Sequence, residues 1–199
     1  DETRWYEHTC YQTNNDVEWV RGVNGRVAAY QEAARRSQTP WFFAVFAKLE
    51  VLGNRFDWHW QPDYWQGPKH YIFKATNTMN GLEYGHMAIV AANKNIVLNQ
   101  TDYELDFTLG GAHTVVDINC GIAYFNESPL ATLRTAFREC VKLSSSVIDR
   151  QVQHETDYRL FVWQTVGKDT EFGKYVIAGA CAGKEYGANH KHDRAALKR

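Results

Sequence analysis

Two sets of side chains in this sequence have types and spacing that could do chemistry. Asp57, His59, Asp63 and His70 fall within one short stretch, and carboxylates beside imidazoles are what acid/base catalysis or a divalent metal requires. Interleaved with them are Phe56, Trp58, Trp60, Tyr71 and Phe73, preceded by Trp41 and Phe43 and followed by His86, Tyr103 and Phe107. Rings with a few polar anchors are the usual lining of a site for a small hydrophobic or amphipathic molecule. His86 is in phase with Leu82, Tyr84, Ala88 and Val90, so it is expected to face inward with them, as a ligand contact or as a satisfied core histidine. No Gly-x-Ser-x-Gly, phosphate-cradling glycine loop or His-Glu-x-x-His occurs, so the expectation is a protein without catalysis and without a cofactor.

Spacing weighs one set against the other. Phe56, Trp58 and Trp60 alternate with Arg55, Asp57 and His59, and Tyr103, Leu105, Phe107 and Leu109 alternate with Asp102, Glu104, Asp106 and Thr108, which is the period of a strand with one dry face. On that reading Asp57 and His59 face water, and the Asp57/His59/Asp63/His70 group is a solvated face before it is an active site. For each ring the plain alternative is ordinary core. Seven tryptophans and eleven tyrosines in 199 residues favour more than core, because each brings a polar handle that a packed interior must satisfy.

The elements that would position these rings follow from periodicity. Val20, Val23, Val27, Tyr30 and Ala34 predict a helix from near Asn15 or Asp16 to about Arg36, stopped by Thr39-Pro40. Strands are expected at 41–51, 54–60, 69–77, 82–92, 95–100, 102–109, 112–118 and 121–125, separated by turn signals such as Gly53-Asn54 and Asn80-Gly81. Ser128 caps and Pro129 opens a second helix, to about residue 151, whose stripe is Leu130, Leu133, Phe137, Val141 and Ile148. Two further strands are expected at 158–166 and 172–181. The sum is a mainly β, α+β chain: an antiparallel β-barrel of about 8–10 strands with an N-terminal and a C-terminal helix packed outside. One domain would cover 1–183, with a polar C-terminal tail over 184–199.

Charge narrows the partners. With 22 basic and 23 acidic residues intermingled, the formal net charge is −1, and no basic stripe suits nucleic acid. No apolar run approaches the roughly 20 residues that span a bilayer. Cys10, Cys120, Cys140 and Cys181 form an even set without metal-site spacing, so two disulfides are expected. Three pairings exist, and Cys140–Cys181, from the second helix to a late strand, with Cys10–Cys120 is the preferred one. Asn99-Gln100-Thr101 and Asn126-Glu127-Ser128 are glycosylation sequons, and the chain starts at Asp1 without a methionine. Together these lead to a secreted, extracellular glycoprotein.

The order of elements over residues 16–181 resembles an extracellular lipocalin: a helical opening segment, a run of eight antiparallel strands, a helix, a closing strand and two disulfides. Thr39-Pro40-Trp41 stands where that family has Gly-x-Trp, and two strands follow the helix where one is usual. The resemblance implies that Trp41 plugs the closed end of a barrel, and that the protein stores, transports or sequesters a small hydrophobic or amphipathic molecule. A carotenoid, a fatty acid, a tetrapyrrole and an aromatic amine all fit such a wall. The alternatives are a structural or storage glycoprotein subunit with a filled core in a homo- or hetero-oligomer, and an enzyme using the Asp57/His59/Asp63/His70 group.

Overall fold

A computed structural model describes residues 2–101, 111–147, 151–191 and 193–197. The chain divides into two compact units, Asp1–Thr76 with Glu83–Ala123, and Asn77–Leu82 with Tyr124–Arg199.

The first unit holds α1 (Glu2–Gln12), α2 (Arg26–Arg36), β1 (Trp41–Val45), β2 (Leu49–Val51), β3 (His70–Asn77, its last residue grouped with the second unit), β4 (Glu83–Asn93), α3 (Lys94–Leu98) and β5 (His113–Ala123). The five strands form one sheet in the order β1-β4-β3-β5-β2, with β1/β4, β3/β4 and β2/β5 antiparallel. Between β3 and β5 the contacts His70 to Ala112, Lys74 to Asp117 and Thr76 to Asn119 advance together, so this pair is parallel and the sheet is mixed. β1 and β2 are the two outer strands, yet only Phe46, Ala47 and Lys48 join them, and the Leu49 amide donates to the Phe46 carbonyl at 3.0 Å. So short a connection brings opposite edges of the sheet together, and the sheet curls into a nearly closed, barrel-like form. Gly121 sits where β5 meets β2, and a Cβ there would overlap the Glu50 carbonyl oxygen.

Strand alternation gives this sheet two different faces. Phe42 and Ala44 on β1, Ile72 on β3, and Val90 and Ala92 on β4 pack with Tyr30 and Ala34 of α2 and Val97 of α3. Trp41, Phe43, Tyr71 and Ala91 occupy the opposite face. The register shift between Ile72 and Lys74 puts the irregularity of the ladder in β4 across from Phe73.

The second unit is helical: α4 (Pro129–Ser144), α5 (Gln153–Thr165), α6 (Gly173–Asn189) and α7 (Arg194–Leu197). Ser128 caps α4 as its sequence predicts, accepting from the Ala131 amide at 3.2 Å. Gly179, Gly183 and Gly187, four apart on α6, lie against the backbone at Leu133, Phe137 and Val141, four apart on α4, so the two helices run in the same direction in near-backbone contact.

The expected 8–10-stranded antiparallel barrel is therefore corrected: the described residues are α+β, with 44% helix and 20% strand. The lipocalin resemblance loses its up-and-down run of strands, because β3 and β5 are parallel neighbours; the barrel-like closure is what remains. Residues 54–60 form turns, 95–100 begins as α3 with Asn93 accepting from the Ile96 amide, 158–166 lies mostly in α5, and 172–181 lies mostly in α6. In α5 the buried residues Thr156, Leu160 and Trp163 recur at helical spacing, a pattern hidden among aromatic and β-branched neighbours. In α6, Gly179, Gly183 and Gly187 are packing contacts against α4. The 102–109 strand lies outside the described residues. N-terminal helix formation occurs twice, in α1 and α2, with the open segment through Gly22 and Gly25 between them at positive φ.

Both disulfides are also corrected, since all four cysteines are free thiols. Cys120 donates to the Lys74 carbonyl at 3.1 Å, and Cys181, on the exposed side of α6, accepts from Gln164 Nε2 at 3.5 Å.

Candidate functional site

Seven of the ten candidate binding residues meet on the sheet face opposite α2. Leu52 to Lys69, the long connection from β2 to β3, folds back over that face and carries three of them. Connections this long in a compact unit are commonly functional. Asp57 shapes it: its side chain accepts from the His59 amide at 2.9 Å while its carbonyl accepts from the Trp60 amide at 3.0 Å. That Asx turn turns Phe56, Trp58 and Trp60 to one side and leaves Asp57 and His59 exposed, so a turn produces the alternation that strand periodicity also predicts.

The rings form one continuous set. Phe43 stands 5.2 Å from Phe56, 5.8 Å from Trp58 and 6.4 Å from Phe73, measured between centroids. Phe56 stands 4.9 Å from both Trp58 and Phe73, edge to face. Trp60 bridges Phe73 at 5.0 Å and Tyr71 at 5.1 Å, and Trp41 lies 5.5 Å from Tyr71 on its other side. Phe56, Tyr71 and Phe73 are buried as a floor. Trp41, Phe43, Trp58 and Trp60 are half-buried and form the rim, and Trp65, in the same connection as Trp58 and Trp60, is almost fully exposed.

Two polar atoms in this set stand out. The Tyr71 hydroxyl is buried and has no hydrogen-bond partner among the described residues, and the same holds for the Trp58 indole Nε1. Burial, reinforced by the Asp63 carboxylate, raises the Tyr71 phenol above its usual range, so it keeps its proton and is a donor. The Lys69 ammonium lies over the Tyr71 ring, 5.4 Å from its centroid. Spacing alone had placed Asp63 in the acid/base group; its effect on Tyr71, and that of Lys69, needed the fold of the connecting loop.

The Asp57/His59/Asp63/His70 group does not converge. Alternation places His70 on the helix-covered face with Ile72, where its Nδ1 accepts from the Asn93 amide at 3.2 Å. Burial, with a smaller push from His113, lowers it to about 4, so it is a neutral core histidine. Among the described residues no three His, Cys, Asp or Glu side chains gather as a metal group would need. Tyr103 and Phe107 lie outside the described residues; His86 lies in β4, and its side chain is outside them too. Asn99 is exposed at the end of α3, whereas Asn126 is half-buried and accepts from Thr78 Oγ1 at 3.5 Å. No helix among the described residues is long and apolar enough to cross a membrane.

Comparison with known proteins adds no family: no family model, no curated protein and no solved structure matches the chain.

Proposed function

We propose that the first unit is a non-catalytic binding module that carries or sequesters a small hydrophobic or amphipathic molecule against the aromatic rim of Trp41, Phe43, Trp58 and Trp60. The observation that carries this reading is the buried Tyr71 hydroxyl without a partner beneath that rim. A buried donor left unpaired costs about 1–3 kcal/mol, and a bound acceptor that reaches it would remove that cost. The half-exposed rings supply apolar area, while the loop that carries two of them is the element able to shift and admit a ligand. Both unpaired groups are donors, so the reading favours a ligand with a carbonyl or carboxylate acceptor, as in a fatty acid or a tetrapyrrole, over an aromatic amine. Export from the cell stays part of this proposal on the exposed Asn99 sequon, now that the cysteines no longer argue for it.

Titration of the full chain with retinol and with a dansylated undecanoic acid, read by tryptophan quenching and energy transfer, tests the proposal. Saturable quenching that weakens in Trp58→Phe and Trp60→Phe is the expected result. Absence of any saturable signal with either probe contradicts it and leaves the rings as core.

A further inference from the structure

The sequence contains two Asn-Gly pairs, Asn24-Gly25 and Asn80-Gly81, and the fold holds them in opposite states. In such a pair the backbone nitrogen of the glycine can attack the side-chain carbonyl carbon of the asparagine, because no Cβ on the second residue stands in the way. The attack needs a glycine N–H that no acceptor holds, an asparagine side chain free to turn, and water at the site.

At Asn24-Gly25 all of these conditions are met. Both residues are exposed, in the open segment between α1 and α2. Neither the Gly25 amide nor the Asn24 side chain has a hydrogen-bond partner among the described residues. Gly25, at φ +94°, has open space where a Cβ would stand, so the backbone there can move without a clash. At Asn80-Gly81 none is met. The Gly81 amide donates to the Asn77 carbonyl at 2.8 Å, Asn80 Oδ1 accepts from the Leu82 amide at 3.2 Å, and Asn80 is 8% exposed. That pair reacts only when its turn opens. Asn54 supplies a third case, exposed like Asn24 but followed by Arg55, whose Cβ hinders the attack.

We infer that Asn24 is a self-deamidating modification site, and that its conversion gives α2 an acidic group which the start of that helix lacks. The Gly25 nitrogen gives up its proton to solvent and bonds to Asn24 Cγ. The bond from Cγ to the side-chain nitrogen breaks, and that nitrogen takes up a proton and leaves as ammonia. One water then opens the resulting succinimide at either carbonyl, giving aspartate or isoaspartate, and nothing is oxidised or reduced. Either product places one new negative charge just before α2, which starts at Arg26 behind an N-cap glycine without a side-chain cap bond and has no acidic residue in its first turn. A carboxylate there complements the unpaired N–H groups of the helix start. The site does not depend on the aromatic face.

The test is peptide mass mapping of the full chain stored at neutral pH and body temperature in heavy-oxygen water, once folded and once in urea. For the folded chain the expected result is acid at Asn24, as both aspartate and isoaspartate carrying heavy oxygen, forming at least about tenfold faster than at Asn80 or Asn54. In urea Asn80 should catch up with Asn24 while Asn54 stays slow. Asn24→Asp should melt about 1–3 °C above the parent chain. An amide that stays intact at Asn24, aspartate without isoaspartate, or equal rates at Asn24 and Asn80 in the folded chain overturns the inference. So does an Asn80 that stays slow in urea, or an Asn24→Asp chain that melts no higher than its parent.

Discussion

The Trp60 ring packs on Tyr71 with centroids 5.1 Å apart and planes at 62°, so a half-exposed indole lies against a phenol that is 2% exposed. The phenol therefore has an aromatic neighbour on the solvent side and no hydrogen-bond partner among the described residues for its hydroxyl. A packed core gains nothing from that oxygen. Tyr71→Phe should leave the unliganded protein as stable as before or raise its stability by up to about 1 kcal/mol, since it removes a desolvated donor at constant shape. The same change should weaken probe binding. Denaturant unfolding and a retinol titration on one preparation read both effects, and a clear loss of stability would mean that the hydroxyl has a structural partner.

His70 makes stability depend on pH. Its folded value, about 4, lies below the ordinary 6.5, so the unfolded chain binds the proton more readily. Its contribution is whole above about pH 6.5 and is lost as pH falls through about 4, amounting to about 3 kcal/mol at most. His70→Gln should flatten that part of a stability-versus-pH curve measured by urea unfolding. An unchanged slope between those values would contradict the buried, neutral assignment.

The α4–α6 contact reverses the usual effect of replacing glycine in a helix. In an exposed helix Gly→Ala stabilises by about 1 kcal/mol. At Gly183 a Cβ would overlap the Phe137 carbonyl oxygen, and Gly183→Ala should instead destabilise by about 1–3 kcal/mol as the helices are forced apart. Ala182→Gly, one residue away on the exposed side, supplies the ordinary propensity effect for comparison in thermal unfolding.

Thiol chemistry separates the four cysteines. Burial pushes Cys120 and Cys140 up to about 12, whereas Cys181 is exposed and Cys10 half-exposed. Iodoacetamide at neutral pH should label Cys181 first and Cys120 and Cys140 only on unfolding, with four labels per chain without prior reduction. Peptide mass mapping reads the order, and a chain that takes fewer than four labels when unfolded would restore a disulfide.

Local rules carried part of this structure. Ser128-Pro129 announced α4, Tyr30 and Ala34 announced the buried stripe of α2, and the spacing of Phe56, Trp58 and Trp60 announced rings on one side. The cause of that last pattern was hidden, because an Asx turn at Asp57 and a strand leave the same alternation. The helix α6 was missed for a related reason: a glycine every fourth position marks a helix face only when the helix it touches is known. Phase grouped Phe56, Trp58, Trp60, Tyr71 and Phe73 on one face, and it carried no information on Trp41 and Phe43 joining them; the unpaired Tyr71 hydroxyl and the Lys69 contact arise from chain crossings that no local period records.

The most direct test of the central claim is a native mass spectrum of the protein purified from its natural source, repeated after organic extraction. A discrete extractable molecule carrying a carbonyl or carboxylate, at one per chain, is the predicted result. A bare-chain mass both before and after extraction, with no uptake of retinol or the dansylated fatty acid, would contradict the carrier account.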